Sequence, residues 1–414
     1  MKRILITGAS TYGVSNHGDD AMFDVFCKGI KKEIPDVEIT FLGRHPSREF
    51  DKEFGVRSIK NIDHDSKKQS LGRWFFGFNP GDTTEHLKKI RQELERADLI
   101  VIGGNSFMEV SQSDFLRGVT SYSATIATWA RLFGKKFVLY GAAVYPMKSD
   151  YTKQMARYLC NNAALVTLRE EESRQELLNA GVTDDKGLQV LADPAFGLEE
   201  VADRNLGFEI LKKEKINLKG KNLIGIAFRH MYWLWDEKEF DHYASIMAET
   251  ADFLTQEFDA DVVFIPNCTY NIDTKYEDDR FIAKYIYKKI RNKNRVHLIK
   301  NEYTLHETLS VYSILDLLIS NRRHALIFAA IHSVPVFALS TGHIWHFRPW
   351  IKELNLENQL ISMTESSLSH IKSAIKNTWN ERRNIKKVLK KRIPVLRNKA
   401  LKHTKLIANL LKSH

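Results

Sequence analysis

The chain is 414 residues long and 43% apolar, which predicts two globular domains, each large enough to bury its own core. No apolar run is long enough to cross a membrane, and the three cysteines are too widely spaced for a metal site or a disulfide framework, so a reducing cytoplasm is the expected location. The net charge of +11 comes entirely from one end, because residues 371–414 hold 14 Lys or Arg against one acid and the rest of the chain is nearly neutral. A nucleic-acid-binding protein would carry basic charge on its main fold, so nucleic acid is not an expected partner.

The chain begins with a predicted strand, Lys2 to Thr7, followed by a loop and a helix that runs to about Glu33. The glycines of this loop fall five residues apart, so the G-x-G-x-x-G fingerprint is missing and a dinucleotide-dependent dehydrogenase is a weak interpretation. The helix opens with Asn-His-Gly-Asp-Asp-Ala, where Asn16 can cap it and Asp19 suits the positive end of its dipole. Capping and catalysis are equally compatible with this motif.

The rest of the first half alternates strands with helices, which predicts a parallel sheet with right-handed crossovers in a domain of residues 1–196. Residues 44–81 break this pattern and are predicted to be irregular. Their aromatic cluster suits stacking on a sugar, insertion at a membrane interface or packing on the domain. The cluster consists of Trp74, Phe75, Phe76 and Phe78. Three later strand ends carry polar or glycine-rich motifs: Gly103-Gly104-Asn105, Arg169 to Ser173, and Asp193-Pro194-Ala195-Phe196.

Residues 197–219 are charged without a strand pattern and are predicted to be the linker to a second α/β domain, residues 220–362. Residues 363–414 form a basic helical tail, which Pro394 is expected to break. The cations of this tail are expected to be mostly a solvated face. The alternative is attraction to anionic lipid head groups, which would bring peripheral membrane association, at the inner face if the protein is cytoplasmic.

One stretch of the second domain carries the strongest functional pattern. Leu315 to Ile319 predicts a buried parallel strand, Ser320-Asn321 supplies helix-capping chemistry, and Ala325 to Ile331 predicts an apolar helix. Cations in the first turn of a helix are unfavourable unless an anion lies opposite, and ligands bind at the carboxyl ends of strands in open α/β sheets. The first-turn residues Arg322, Arg323 and His324 therefore predict an anion site. The alternative is a local salt bridge for one arginine and a structural role for the histidine.

The segment Arg322-Arg323-His324-Ala325, with Val334-Pro335 after the helix, resembles the signature of the polysaccharide pyruvyl transferase family. Four further segments resemble motifs of that family in the same order: Asn16-x-Gly18-Asp19-x-Ala21, Ala97-Asp98 before Gly103-Gly104, Arg169 with Ser173, and Asp193-Pro194-x-Phe196. Ser333 stands where the family usually has glycine, and Asn105 stands in place of the third glycine of a triplet. The resemblance covers residues 1–345, approximately.

The resemblance implies an α/β fold of two Rossmann-like domains with parallel sheets, of the glycosyltransferase-B type, with the acceptor side in the first domain and the donor site in the second. It also implies transfer of pyruvate from phosphoenolpyruvate, as co-substrate, to two hydroxyls of a sugar in a glycan or lipid-linked glycan. Neither a metal nor a bound cofactor is expected. The implied catalytic residues are His324 and Asp19, and the implied substrate-binding residues are Arg322, Arg169, Arg323, Asn16, Gly18, Gly104 and Asn105.

Two other functions stay open on the sequence alone. A nucleotide-sugar glycosyltransferase of the same architecture would place an acid in the second domain to bind a ribose; Glu302 and Asp316 are available, but neither lies in a recognisable motif. A non-catalytic glycan-binding or scaffold protein, docked through the basic tail, would show saturable glycan binding without turnover.

Overall fold

The computed structural model describes residues 1–8, 16–43, 46–61, 84–103, 106–107, 112–114, 117–183, 187–199, 202–231, 234–269, 278–341 and 347–413. The chain forms two compact units. The first unit comprises Met1–Val14, Asp19–Gly197 and Arg397–His414, and the second comprises Ser15–Gly18 and Leu198–Leu396. Gly104, Asn105 and the aromatic cluster at 74–78 lie outside the described residues.

The first unit is built on a parallel sheet. Its strands are β1 (Arg3–Thr7), β2 (Glu38–Gly43), β3 (Arg57–Lys60), β4 (Leu99–Gly103), β5 (Ser106–Phe107), β8 (Phe137–Val144), β9 (Leu165–Leu168) and β10 (Gln189–Val190), with β6 (Gln112–Asp114) and β7 (Arg117–Gly118) forming a separate antiparallel pair. The strand order is β10-β9-β8-β4-β1-β2-β3, with β5 paired to β8. The central strands β1, β4 and β8 are apolar runs that are buried almost throughout, as expected of a parallel sheet covered on both faces.

The second unit repeats this plan. Its strands are β11 (Asn222–Ala227), β12 (Ala260–Phe264), β13 (Val296–Leu298), β14 (Leu317–Ser320), β15 (Val336–Ser340) and β16 (Leu360–Ser362). They pair in parallel in the order β13-β12-β11-β14-β15-β16. Adjacent β11 and β14 lie at the centre, so their carboxyl ends share one edge of the sheet. The predicted α/β fold of two parallel-sheet domains is confirmed.

Helices cover the sheets and close the chain. They are α1 (His17–Glu33), α2 (Arg48–Phe54), α3 (Thr84–Arg96), α4 (Val119–Leu132), α5 (Asp150–Asn162), α6 (Glu171–Asn179), α7 (Arg204–Lys213), α8 (Glu237–Glu257), α9 (Asp279–Lys289), α10 (Leu305–Ser313), α11 (Arg323–Ile331), α12 (Arg348–Glu353), α13 (Leu368–Ala400) and α14 (Lys402–Lys412). None of the described helices is long and apolar enough to span a membrane.

Two regions differ from the sequence-based expectation, and a third, the predicted linker, contains a helix that its sequence pattern did not indicate. The prediction that residues 44–81 are irregular is wrong for 48–60, where Ser47 caps α2 by accepting a hydrogen bond from the Phe50 N–H at 3.1 Å and β3 pairs with β2. The helix in the linker is α7. The expected break at Pro394 does not occur, since α13 continues through it. Pro394 has no N–H to donate to the carbonyl of Lys390, four residues earlier. Both residues are exposed, so water can take the place of the missing donor.

Candidate functional site

The start of α11 is shaped by two side chains at the end of β14. The Ser320 hydroxyl donates to the Ala227 carbonyl at 2.6 Å and accepts from the Arg322 N–H at 2.8 Å, which ties the turn to β11. Arg322 is the N-cap residue in extended backbone conformation, so Arg323 and His324 are the first two residues of the helix. The prediction that these three residues mark a helix start after a strand is confirmed.

Asn321 does not cap the helix, contrary to the sequence-based interpretation. Its side chain instead bonds both backbone groups of Arg229: Oδ1 accepts from the Arg229 N–H at 2.7 Å, and Nδ2 donates to the Arg229 carbonyl at 2.9 Å. Arg229 follows the end of β11, so Asn321 fastens together the two strand-end loops at the centre of the sheet. Asn321 thus links the two loops, because the backbone N–H and carbonyl of Arg229 match the acceptor and the donor of its side-chain amide.

Arg322 is buried and ion-paired. Its Nη2 donates to Asp279 Oδ1, and its Nη1 donates to Cys268 Sγ at 3.2 Å. Burial is the largest single influence and by itself would lower the pKa of Arg322. The charges of Asp279 and Cys268 and their hydrogen bonds with the guanidinium together outweigh burial and raise the pKa, so the guanidinium stays charged. Its Nε has no hydrogen-bond partner among the described residues. The local salt bridge considered as the alternative for one arginine is therefore present.

Asp279, at the first position of α9, was not singled out from the sequence. Its Oδ2 accepts from the backbone N–H groups of Asn267 and Cys268, at 2.8 and 3.0 Å, and its own N–H donates to the Cys268 carbonyl at 2.9 Å. The loop after β12 and the guanidinium of Arg322 are thus held by one buried carboxylate. An acid in the first turn of a helix is common, and nothing local indicated a partner 43 residues away.

The Asn16–Gly18 segment docks on this same loop, within the second unit. Asn16 forms a β-bridge with Cys268, and the His17 N–H donates to the Asn267 carbonyl at 3.1 Å. The Asn16 side chain accepts from the Gly18 N–H at 3.3 Å, which is the predicted capping bond. The motif at the start of the chain and the loop after β12 are therefore parts of one assembly.

His17 is a neutral buried partner in this assembly. Its Nε2 lies 3.1 Å from the Thr308 hydroxyl, and its Nδ1 has no hydrogen-bond partner among the described residues. Burial, aided by the positive charge of Arg322, lowers the pKa of His17 to about 4. His17 is thus uncharged near neutral pH, and its burial beside Arg322 adds no second cation to the site.

Gly18 lies directly against His324. A methyl group built on Gly18 would come within 2.2 Å of His324 Nδ1, so the imidazole occupies the space that any other side chain would need. His324 is partly buried, and its ring also stacks on Phe328 with centroids 6.3 Å apart. The Asn16-x-Gly18 and Arg322-x-His324 motifs, more than 300 residues apart, are therefore in contact.

The remaining predicted residues lie nearby in the chain or in the first unit. Asp19 follows Gly18 in the first turn of α1 and is partly buried, and Arg323 is 3% exposed at the start of α11. Arg169 is buried in the first unit, where Nε donates to the Gly141 carbonyl at 2.6 Å and Nη1 to Asp193 Oδ2 at 3.3 Å. Two of the sequence motifs thus pair with each other.

Within the described ranges, no group of three or more His, Cys, Asp or Glu side chains is arranged to hold a metal ion. The side chains and backbone at these strand ends offer imidazole, guanidinium, carboxylate and N–H groups.

Two α/β units with parallel sheets give the chain a fold of the glycosyltransferase-B type. Solved structures with this fold include Anabaena Alr3699/HepE in complex with UDP-glucose, with a TM-score of 0.61, 14% identity and full coverage of both chains. A glycosyltransferase from Rickettsia africae has a TM-score of 0.60 and 12% identity, covering 99% of this chain and 98% of its own. UDP-GlcNAc 2-epimerase from Neisseria meningitidis, bound to UDP-GlcNAc, has a TM-score of 0.59 and 12% identity, with full coverage of both chains.

The chain belongs to the polysaccharide pyruvyl transferase family, whose model matches residues 16–343. It is similar to the amylovoran biosynthesis protein AmsJ of Erwinia amylovora, with 21% identity over 379 residues that cover 82% of this chain and 84% of AmsJ. The structural likenesses above are all below 25% identity and speak for the fold alone. Family membership therefore supports a transferase that acts in polysaccharide biosynthesis.

Proposed function

We propose that the protein transfers pyruvate from phosphoenolpyruvate to two hydroxyls of one sugar in a cell-surface polysaccharide or its precursor, leaving a cyclic ketal and releasing phosphate. Family membership supports this proposal, as does the similarity to AmsJ, a protein of amylovoran biosynthesis. The observation that carries it is the contact between Gly18 and His324, because it joins two family motifs at a strand end of the second unit.

The proposed reaction needs a proton donor and a place for anions. The enol of phosphoenolpyruvate becomes electrophilic at C2 once its methylene carbon takes up a proton. One sugar hydroxyl then adds to C2, phosphate leaves with its bonding electron pair, and the second hydroxyl closes the ring. Of the two hydroxyl protons released, one replaces the proton delivered to carbon and the other leaves with phosphate. We assign the proton transfer to His324, since histidine is the commonest side chain in that role.

The other roles follow from where the side chains lie. Asp19, next to Gly18, is assigned to the acceptor as a base or as an orienting group. The donor is placed at the start of α11, where backbone N–H groups, Arg323 and His324 lie together. Arg322 and Arg169 each have a carboxylate partner, so we assign them to holding the strand-end loops, and donor binding by either stays a prediction.

We further propose a cytoplasmic location, without a resident cofactor. The three cysteines, Cys27, Cys160 and Cys268, are buried and form no disulfide, which suits a reducing compartment. Burial raises the pKa of Cys160 to about 12, so this thiol stays protonated and unreactive. The acceptor is proposed to be a glycan or a lipid-linked glycan.

The test is release of inorganic phosphate from phosphoenolpyruvate, with and without isolated cell-envelope glycans. Replacing His324 with Gln should lower the turnover rate by about 10²-fold or more, the usual range for a lost proton-transfer group, while phosphoenolpyruvate still binds in calorimetry. His332→Gln is the matched control, because His332 caps the other end of the same helix. Near-normal turnover in a folded His324→Gln variant, or an equal loss in the control, would remove His324 from the mechanism.

A further inference from the structure

A row of cations runs along one face of α13. We call Arg383, Lys386, Lys387, Lys390 and Lys391 the basic stripe; all five side chains are exposed. Their spacing of three and four residues places them on one side of the helix. The opposite side is buried, with Ile385, Leu389 and Ile393 between 0% and 8% exposed. The packed face fixes the helix, so the basic stripe is presented to solvent in a defined orientation.

Other cations of the same helix are engaged with the protein. Lys372 and Lys376 pair with Glu249 and Glu257, and Arg382 donates to the Trp379 carbonyl while its guanidinium lies 4.2 Å from the Trp379 ring centroid. The five side chains of the basic stripe have no ion pair or side-chain hydrogen bond with any described residue, and the sequence from 382 to 414 contains no acid. Like charges three and four residues apart repel, so the isolated helix gains nothing from this arrangement.

We propose that the basic stripe binds an anionic phospholipid surface and holds the protein at a membrane as a peripheral protein. A lipid surface matches a straight exposed row of cations, and each Lys or Arg near such a surface strengthens binding by about fivefold, the equivalent of ~1 kcal/mol. Val395 extends the row that Lys387 and Lys391 define, four residues further on, and is 45% exposed, which provides an apolar contact with the interface. The rest of the chain, outside 371–414, is nearly neutral, so it offers no further basic surface along which a long nucleic acid would bind.

The inference is independent of the proposed chemistry, since it concerns a surface and holds for any donor.

The experiment measures co-sedimentation of the full-length protein with phosphatidylcholine vesicles that either contain or lack phosphatidylglycerol. Wild-type protein should bind only the anionic vesicles, and added salt should weaken binding because exposed charges are screened. The double variant Lys386→Gln/Lys387→Gln should bind about 25-fold more weakly. The matched control Lys372→Gln/Lys376→Gln removes the same charge from the same helix but from side chains that already have partners, and should change binding by less than about twofold.

The melting temperature should be unchanged in the basic-stripe variant, because the replaced side chains are exposed and form no ion pair or side-chain hydrogen bond with any described residue. The proposal is overturned by equal binding to neutral vesicles, by binding that salt does not weaken, or by an equal loss in the control. Tighter binding to duplex DNA than to anionic vesicles, lost in the basic-stripe variant, would assign the surface to nucleic acid instead. The salt titration is carried out on the wild-type protein, so its result does not depend on whether a variant folds.

Discussion

Gly18 and His324 make a contact that only glycine permits, and this defines a test at the scale of single residues. Gly18→Ala should lower the free energy of unfolding by about 1–3 kcal/mol, the usual cost of overpacking, because the new methyl group meets His324 Nδ1. The measurement is a double-mutant cycle by denaturant titration with His324→Ala. If the imidazole is the obstacle, Gly18→Ala should cost little in the His324→Ala background. An equal cost in both backgrounds would mean that the contact does not limit this position.

Asp279 provides the second test at this scale. Asp279→Asn leaves the buried guanidinium of Arg322 without a counter-charge, and breaking a buried ion pair in this way typically costs about 3–5 kcal/mol. Adding Arg322→Gln removes the orphaned charge, so the double variant should be more stable than Asp279→Asn alone. Urea titrations of the three proteins compare these values. A single variant as stable as the wild type would show that the pair contributes nothing.

At the scale of side chains, the sequence predicts the position of a residue in its own element but not its partner in the fold. The place of Arg322, Arg323 and His324 followed from a strand, a turn and a helix that are contiguous in the chain, which is local information. The partners of Arg322 and Arg169 cannot be predicted from the local sequence, because Asp279 and Asp193 come close to these arginines only in the tertiary fold. Gly18 was matched as part of a motif, but its contact with the imidazole became visible only in three dimensions.

At the scale of elements, the hydrophobic pattern determines which strands can be predicted from the sequence. Strands such as β4 and β14 are continuous apolar runs and were placed correctly. The edge strand β3 was missed because Arg57-Ser-Ile-Lys lacks an apolar run and its residues are half-exposed. Pro394 gave the opposite error, a helix break that is not there. The buried side chains of Ile393 and Leu396 on either side of it keep the helix continuous.

The closing helix α14 yields a prediction about pH. His403 Nε2 donates to the Ala192 carbonyl at 2.8 Å, and burial lowers the pKa of His403 from the ordinary 6.5 to about 4. Between pH 6.5 and 4 the unfolded chain therefore takes up a proton that the folded chain does not. Stability should fall as the pH drops through this window, by up to about 1.4 kcal/mol per pH unit from this group.

His403→Gln keeps a donor for the Ala192 carbonyl but cannot be protonated. The difference in unfolding free energy between wild type and variant should thus be constant above pH 6.5 and shift in favour of the variant as the pH falls to 4. Denaturant titrations at several pH values measure it. Parallel stability curves through the whole range would contradict the assigned cause. His17 and His332, whose pKa values burial also lowers to about 4, stay in both proteins and leave part of the acid sensitivity in place.

At the scale of the whole molecule, the fold is compatible with more than one class of donor. Structures of the same architecture are bound to UDP-glucose or UDP-GlcNAc, so two parallel-sheet units are compatible with nucleotide-sugar chemistry. What separates this chain is the content of its strand ends. Glu302 and Asp316 are the two acids that could bind the ribose of a nucleotide sugar, and neither is next to the start of α11 in the sequence. Glu302 is paired with Arg280, and Asp316 accepts a hydrogen bond from the Leu223 N–H at 2.9 Å. The donor therefore has to be identified by binding.

Ligand-induced stabilisation separates the two donor classes. At about one hundred times its dissociation constant, a ligand that binds only the folded protein adds about 2.7 kcal/mol, enough to raise the melting midpoint by several degrees. Phosphoenolpyruvate should produce this rise, inorganic phosphate should compete with it, and UDP or UDP-glucose at the same concentrations should have no effect. The His324→Gln variant should keep the rise in melting midpoint with phosphoenolpyruvate. The imidazole is assigned to proton transfer, and the charge assigned to the donor is that of Arg323, in the same turn of α11. A rise with UDP and none with phosphoenolpyruvate would replace the proposed reaction with glycosyl transfer, whereas saturable glycan binding with neither donor would make the protein a glycan-binding one.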